Sequence, residues 1–336
     1  RIFVIFLMLS LFIGGCTQPS DPKADQEDRR LKIVATTFPQ YDWVRQILGE
    51  RADDTELLLL LDDGTDLHSF QPSVEDIANI ADSDLFIYVG GESDSWVHDA
   101  LESTHNDHRV LINLLEILDS HVKNEEVVEG MEHHHDHEHE EDHEHEHEET
   151  HEHEHEHEEA DEHVWLSLKN AILINEKIVE ALSELDPDHA NEYKQNGEVY
   201  TDKLSALDDK YQQALSDTRT RTLVFADRFP FRYLLDDYEI EYYAAFSGCS
   251  AEVEASFETV IFLAKKVNEL ELSHVMTIES SDLSMARTVI ENTVTKDQEI
   301  LVLDSMQSIT SEQVASGTSY LSIMEKNLQT LQEALQ

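Results

Sequence analysis

Residues 31–61 read LKIVATTFPQYDWVRQILGERADDTELLLLL, and this stretch decides the fold class. Leu31-Lys32-Ile33-Val34-Ala35 is an apolar run of strand length, and Leu57 to Leu61 is a second. Between them Tyr41, Val44, Ile47 and Leu48 recur at helix spacing. Strand, helix and strand in that order predict an α/β domain with a mainly parallel sheet. Working outward, Val74, Ile77, Ala78 and Ala81 mark a helix face, while Leu85 to Val89 and Val110 to Leu114 supply strands three and four. The order repeats after Thr220, with strands at Thr222 to Ala226, Tyr242 to Phe246, His274 to Ile278 and Ile300 to Leu303. Two helices lie between the halves. Leu168 to Leu185 is stopped by Asp186-Pro187, and a second helix runs from about Asp188 to Ser216, with Tyr193, Tyr200, Leu204, Leu207, Tyr211 and Leu215 in one stripe. The expected architecture is two similar lobes, each with a four-stranded mainly parallel sheet, joined by a long backbone helix. At 1.5 Å per residue that helix is roughly 40 Å long.

A chain of 336 residues suits two domains of ordinary size. Its formal net charge of −50 argues against nucleic acid or an anionic membrane surface as partner and favours a cationic ligand. Ile2 to Ile13 is apolar except for Ser10, too short to span a bilayer but suited to a signal-peptide core. The run starts at Arg1, so residues before it are expected to be missing. Ile13-Gly14-Gly15-Cys16 resembles a lipobox, which would make Cys16 the lipidated first residue of the mature chain. The expected boundaries are 1–16 for the signal peptide and lipobox, 17–30 for a tether, 31–167 for the first lobe, 168–217 for the connecting helices and 218–336 for the second lobe. With Cys16 lipidated, Cys249 is left as the other cysteine, and no disulfide forms within the chain.

Residues 132–159 hold twelve histidines and fifteen acidic residues and no apolar side chain, which predicts a disordered loop inserted in the first lobe. The histidines are His133, His134, His135, His137, His139, His143, His145, His147, His151, His153, His155 and His157. Imidazoles among carboxylates would collect zinc, copper or nickel weakly without fixed geometry. His139 to His143 and His147 to His151 match the HExxH pattern of zinc proteases. That motif needs a stable helix, which a tract of repelling carboxylates does not form, and an enzyme is not expected.

Ligands of open α/β sheets bind beyond the carboxyl ends of the strands. His68 follows strand two, His163 precedes a helix, Asp227 ends the first strand of the second lobe and Glu279 ends its third. Two imidazoles and two carboxylates converging from both lobes would hold a borderline divalent metal.

These residues amount to a family resemblance. Gly64 to Pro72, followed by Asp76, Ala81-Asp82-Ser83-Asp84-Leu85 and Tyr88-Val89-Gly90-Gly91, resembles the first metal-ligand motif of the zinc/manganese solute-binding lipoproteins of ABC importers. His163-Val164-Trp165-Leu166-Ser167 followed by Lys169-Asn170-Ala171 is similar to their second, again just after a His-rich loop as in zinc-specific members. Tyr320-x-x-x-Met324-x-x-Asn327-Leu328 fits their closing helix. The resemblance implies a metal cleft between two lobes, Zn2+ as cargo (Mn2+ as the alternative), and delivery to an ABC permease by a lipid-anchored monomer on the outer face of the cytoplasmic membrane. A manganese or iron importer, an adhesin and a metal buffer are the competing readings. One departure stands out. The family carries a third histidine in a His-Asp-Ala-Phe-like motif, whereas this chain reads Phe225-Ala226-Asp227-Arg228-Phe229-Pro230-Phe231. The expected ligand set is therefore His68, His163, Asp227 and Glu279, with Cys249 competing for the third place and Asp282 for the fourth.

Overall fold

The computed structural model describes residues 30–104, 106–131, 159–249 and 255–336. Cys16, the tether up to residue 29 and the histidine-rich run 132–158 lie outside them. The first lobe contains β1 (Lys32–Ala35), α1 (Phe38–Leu48), β2 (Glu56–Leu59), α2 (Val74–Ala81), β3 (Leu85–Tyr88), α3 (Trp96–Ser103), β4 (Val110–Asn113) and α4 (Leu114–Leu118). Next come α5 (Leu168–Leu185) and α6 (Ala190–Leu215). The second lobe contains β5 (Thr222–Phe229), α7 (Arg232–Asp237), β6 (Glu241–Ser247), α8 (Phe257–Glu269), β7 (His274–Ile278), α9 (Ser284–Glu291), β8 (Glu299–Leu303), α10 (Ser311–Ala315) and α11 (Tyr320–Ala334).

The two sheets share one topology. Their strand orders are β2-β1-β3-β4 and β6-β5-β7-β8, and every pairing is parallel. Parallel strands buried on both faces read as continuous apolar runs, which is why the pattern in residues 31–61 is legible. Helices start where a short polar side chain meets an exposed amide. Ser73, Ser167, Ser256 and Thr310 each accept a hydrogen bond from the backbone three residues on.

One strand runs longer than expected. β5 continues past Ala226 to Phe229, with a register break between Phe225 and Arg228, because β6 pairs again beyond the break through Arg228↔Phe246 and Phe229↔Ser247. Asp227 thus lies inside an irregular strand and not beyond its end.

The 26-residue α6 is the spine. Asn196 donates to Ile47 O of α1 at 2.9 Å, and Tyr211 donates to Met324 O of α11 at 2.6 Å, so one helix grips both lobes. Gly197 is buried on its inner face, where an added Cβ would come within 2.4 Å of Val179 Cγ2. The glycine lets α6 close on α5. The main apolar core is continuous from Ile33 and Trp43 through Trp165 and Tyr200 to Phe225 and Tyr320, so the lobes share it. Loops at the carboxyl ends of the two sheets also touch. Ser311 N donates to Asp62 O at 2.6 Å, and Trp165 Nε1 donates to Ser305 O at 2.9 Å.

Candidate metal centre

His68 sits on a single 3-10 turn, Leu67–Ser69, in the loop after β2. Asp66 caps that turn by accepting from His68 N at 3.0 Å. Its other oxygen meets the Arg228 guanidinium at 2.8 Å, so β5 braces the His68 loop from the opposite lobe. On the ring, Nδ1 lies 2.7 Å from Ser93 Oγ and Nε2 lies 3.1 Å from His163 Nε2.

His163 is fully buried just before the turn Val164–Leu166 that leads into α5. Asp161 Oδ1 accepts from both its backbone N and its Nδ1, each at 2.9 Å. Asp161 is itself held: its N donates to Lys123 O at 2.8 Å, and its carbonyl accepts from Tyr233 Oη at 2.9 Å. The ring is therefore fixed in position and tautomer, as metal-ligating imidazoles usually are.

Glu162 is buried beside His68. One of its oxygens accepts from Ser93 N at 2.8 Å, while the other has no hydrogen-bond partner and lies 3.7 Å from His68 Nδ1. Burial raises the Glu162 pKa. Burial and the neighbouring His163 push the His68 ring down to about 3. Burial also opposes charge on His163, but Asp161, with Glu162 and Glu125 behind it, outweighs burial and lifts its pKa. The two shifts run in opposite directions and favour charge on His163 over charge on His68. With Nδ1 committed to Asp161, His163 turns its Nε2 to the Nε2 of His68, and one proton bridges the two. A metal ion would replace that proton between two nitrogen lone pairs.

Cys249 completes the cluster. It lies on the turn after β6, and its N donates to Glu125 Oε1 at 2.9 Å. Burial and then Glu125 push its thiol pKa up. One ring nitrogen each from His68 and His163 and the Cys249 sulfur all lie within 4.8 Å of one another.

Among the described residues, Asp227 and Glu279 do not join that group. Asp227 accepts from the N–H of Arg228 at 2.9 Å. Glu279 follows β7 but turns to the loop after β8, accepting from Ser305 N and Ser305 Oγ, each at 2.8 Å, from Gln307 N at 3.2 Å and from Ser308 Oγ at 3.3 Å. Four donors make it a loop staple in this arrangement. Asp282 accepts from Ser284 N at 2.8 Å at the start of α9. Asp161, Glu162 and Ser93 were not singled out by the sequence reading. An aspartate two residues before His163 was the available signal for the first. Nothing local marks Ser93.

Comparison with known proteins bears on the family of the chain. The family described as ZnuA, zinc-uptake complex component A, periplasmic, matches residues 33–334. The zinc-binding lipoprotein AdcA of Streptococcus pneumoniae is 31% identical over 330 residues, covering 97% of this chain and 59% of the relative. The chain thus spans about three fifths of that relative's length. The high-affinity zinc uptake system protein ZnuA of Bacillus subtilis is 28% identical over 326 residues, covering 97% of this chain and 94% of the relative. The Zn(II)-bound ZnuA-like domain of the pneumococcal AdcA superposes with a TM-score of 0.69 at 27% identity, covering 91% of this chain and 99% of the domain. With the match running through both sheets and the spine helix, the chain belongs to the ZnuA family of zinc-uptake components.

Proposed function

We propose that this protein captures zinc outside the cytoplasmic membrane and hands it, as cargo, to the permease of an ABC importer. The observation that carries the reading is the His68–His163 pair. Two Nε2 atoms face each other at 3.1 Å in a buried junction between lobes, each ring oriented by a second polar partner. Tetrahedral zinc with Zn–N bonds of about 2.0–2.1 Å places two ligand nitrogens about 3.3 Å apart, so the pair needs almost no rearrangement. Family membership and zinc-named relatives support the same reading. We read the centre as a carrier and not an enzyme, since a hydrolytic zinc site needs an accessible open position and His163 is fully enclosed.

Two further parts belong to this proposal. Cys16 would anchor the mature monomer to the membrane by lipidation. The histidine-rich run would act as an auxiliary collector. Its flanks support that role, because Glu125 N donates to Glu159 O at 2.7 Å, which returns the chain directly to Asp161 and His163.

Metal analysis of the purified protein, with zinc and manganese in competition, tests the function. The expected result is one tightly held zinc that manganese displaces poorly. His163→Ala should weaken the site by at least about tenfold, the lower bound for losing even an outer partner of a metal ligand. A wild-type protein with no tight metal, or with equal preference for manganese, overturns the reading.

A further inference from the structure

We propose that the Cys249 thiolate is the third ligand of the cargo metal, so that the centre is a two-imidazole, one-thiolate site selective for thiophilic cations such as zinc and cadmium over manganese. This rests on the metal-capture reading above and names the cargo class.

Geometry carries it. Among the described residues, Cys249 sulfur is the donor that lies within 4.8 Å of ligand nitrogens on both His68 and His163. With Zn–S bonds of about 2.3 Å and Zn–N bonds of about 2.0–2.1 Å, a tetrahedral ion would set each N···S edge at about 3.6 Å, so the sulfur has roughly an ångström or less to travel. The turn that delivers it is built against the imidazole. An added Cβ on Gly248 would lie 2.9 Å from His163 Cε1 and 2.9 Å from Phe229 O, so only a residue without a side chain lets Cys249 come this close. Glu125 fastens the same turn by accepting from Cys249 N.

A second observation points to a cation here. Glu162 is 1% exposed, and one of its oxygens has no hydrogen-bond partner while lying 3.7 Å from His68 Nδ1. Burying a polar oxygen without a partner is costly, and a metal cation held by the neighbouring imidazoles would offset that cost. The segment where the family pattern has its third histidine contributes nothing comparable. Asp227 faces its own backbone, and Arg228 reaches across to Asp66, bringing positive charge to the junction.

The chemistry follows from donor type. Thiolate is a soft donor that suits zinc and its heavier analogues, whereas manganese prefers carboxylate and carbonyl oxygens. On binding, the S–H bond breaks as the metal–sulfur bond forms, and the thiol proton leaves to solvent. No electrons change hands.

The test loads the full chain with cobalt(II) in place of zinc and records its near-ultraviolet absorption, with zinc and manganese affinities measured in parallel. A thiolate-to-cobalt charge-transfer band is expected in the wild type and in Asp227→Ala. It should be absent in Cys249→Ser and in Cys249→Ala. Both cysteine variants should still bind one metal through the histidines, with zinc affinity lower by about tenfold or more and manganese affinity little changed. Retention of a stoichiometric histidine-bound metal shows that they remain folded. A wild-type protein that binds cobalt without the band, or a band that survives in both cysteine variants, overturns the thiolate ligand while leaving zinc capture standing. A large loss of zinc affinity in Asp227→Ala alone returns the role to Asp227. Failure of the wild type to bind any metal tightly would sink the capture reading and this inference together.

Discussion

His163 shows how the neighbours of a proposed ligand prepare it. Its ring is fully buried, yet Asp161 holds both its backbone and its Nδ1, and the same aspartate keeps its pKa above the usual imidazole value against the pull of burial. Two consequences follow for Asp161→Asn. Zinc affinity should fall by about ten- to a hundredfold, the usual range for removing the carboxylate behind a metal-bound histidine, in a zinc titration against a competing chelator. Metal-free stability should show a pH signature as well. A histidine whose folded pKa is raised contributes stability that is fully present below its unfolded value of about 6.5 and is lost as pH rises through the folded value. The variant should therefore melt furthest below wild type in mild acid, with the gap narrowing on the alkaline side. A gap independent of pH would mean that Asp161 acts only through its backbone contacts. His68 and His163 were legible in the sequence because each stands at an element boundary in a recognisable motif. The local environments that tune them were not, because Ser93 touches His68, Tyr233 holds Asp161 and Glu125 acts on the charge of His163, all from distant parts of the chain.

At the scale of elements, α6 carries a glycine, Gly197, in its interior. A glycine in a helix interior costs about 1 kcal/mol relative to alanine in intrinsic propensity, so Gly197→Ala would stabilise an isolated helix. Inside the protein the added Cβ meets Val179 of α5 at 2.4 Å. Overpacking of this kind costs about 1–3 kcal/mol, enough to exceed the propensity gain. Gly197→Ala should lower the midpoint of chemical denaturation, and pairing it with Val179→Ala should recover much of the loss. A higher midpoint for the single variant would show that α5 and α6 separate without penalty. β5 makes the complementary point. The apolar run ends at Ala226, but pairing with β6 carries the strand across a register break to Phe229. An element's length was set by its partner strand, and Asp227 changed place as a result.

For the whole molecule, the histidine-rich run 132–158 and the centre are separable in composition but joined at the stem, where residues 123–125 pair with 159–161. Deleting 132–158 and rejoining Met131 to Glu159 should leave one tight zinc per molecule and remove the weaker ones in calorimetric titration. Loss of the tight site with the structure intact would place the transport ligands in the run itself. The sequence alone determined the fold class, the two repeated sheets and the spine helix, and it singled out the two histidines as candidates. Each of these is written in short-range signals: apolar runs, helical spacing, caps and motifs a few residues long. Only the tertiary structure decided which other side chains reach the pair. Residues 68, 163 and 249 meet because two sheets dock carboxyl end to carboxyl end around a shared core, and the same docking turns Arg228 to Asp66, while the packing of β7 beside β8 turns Glu279 to Ser305. Those directions depend on the packing of whole elements, which no local pattern encodes.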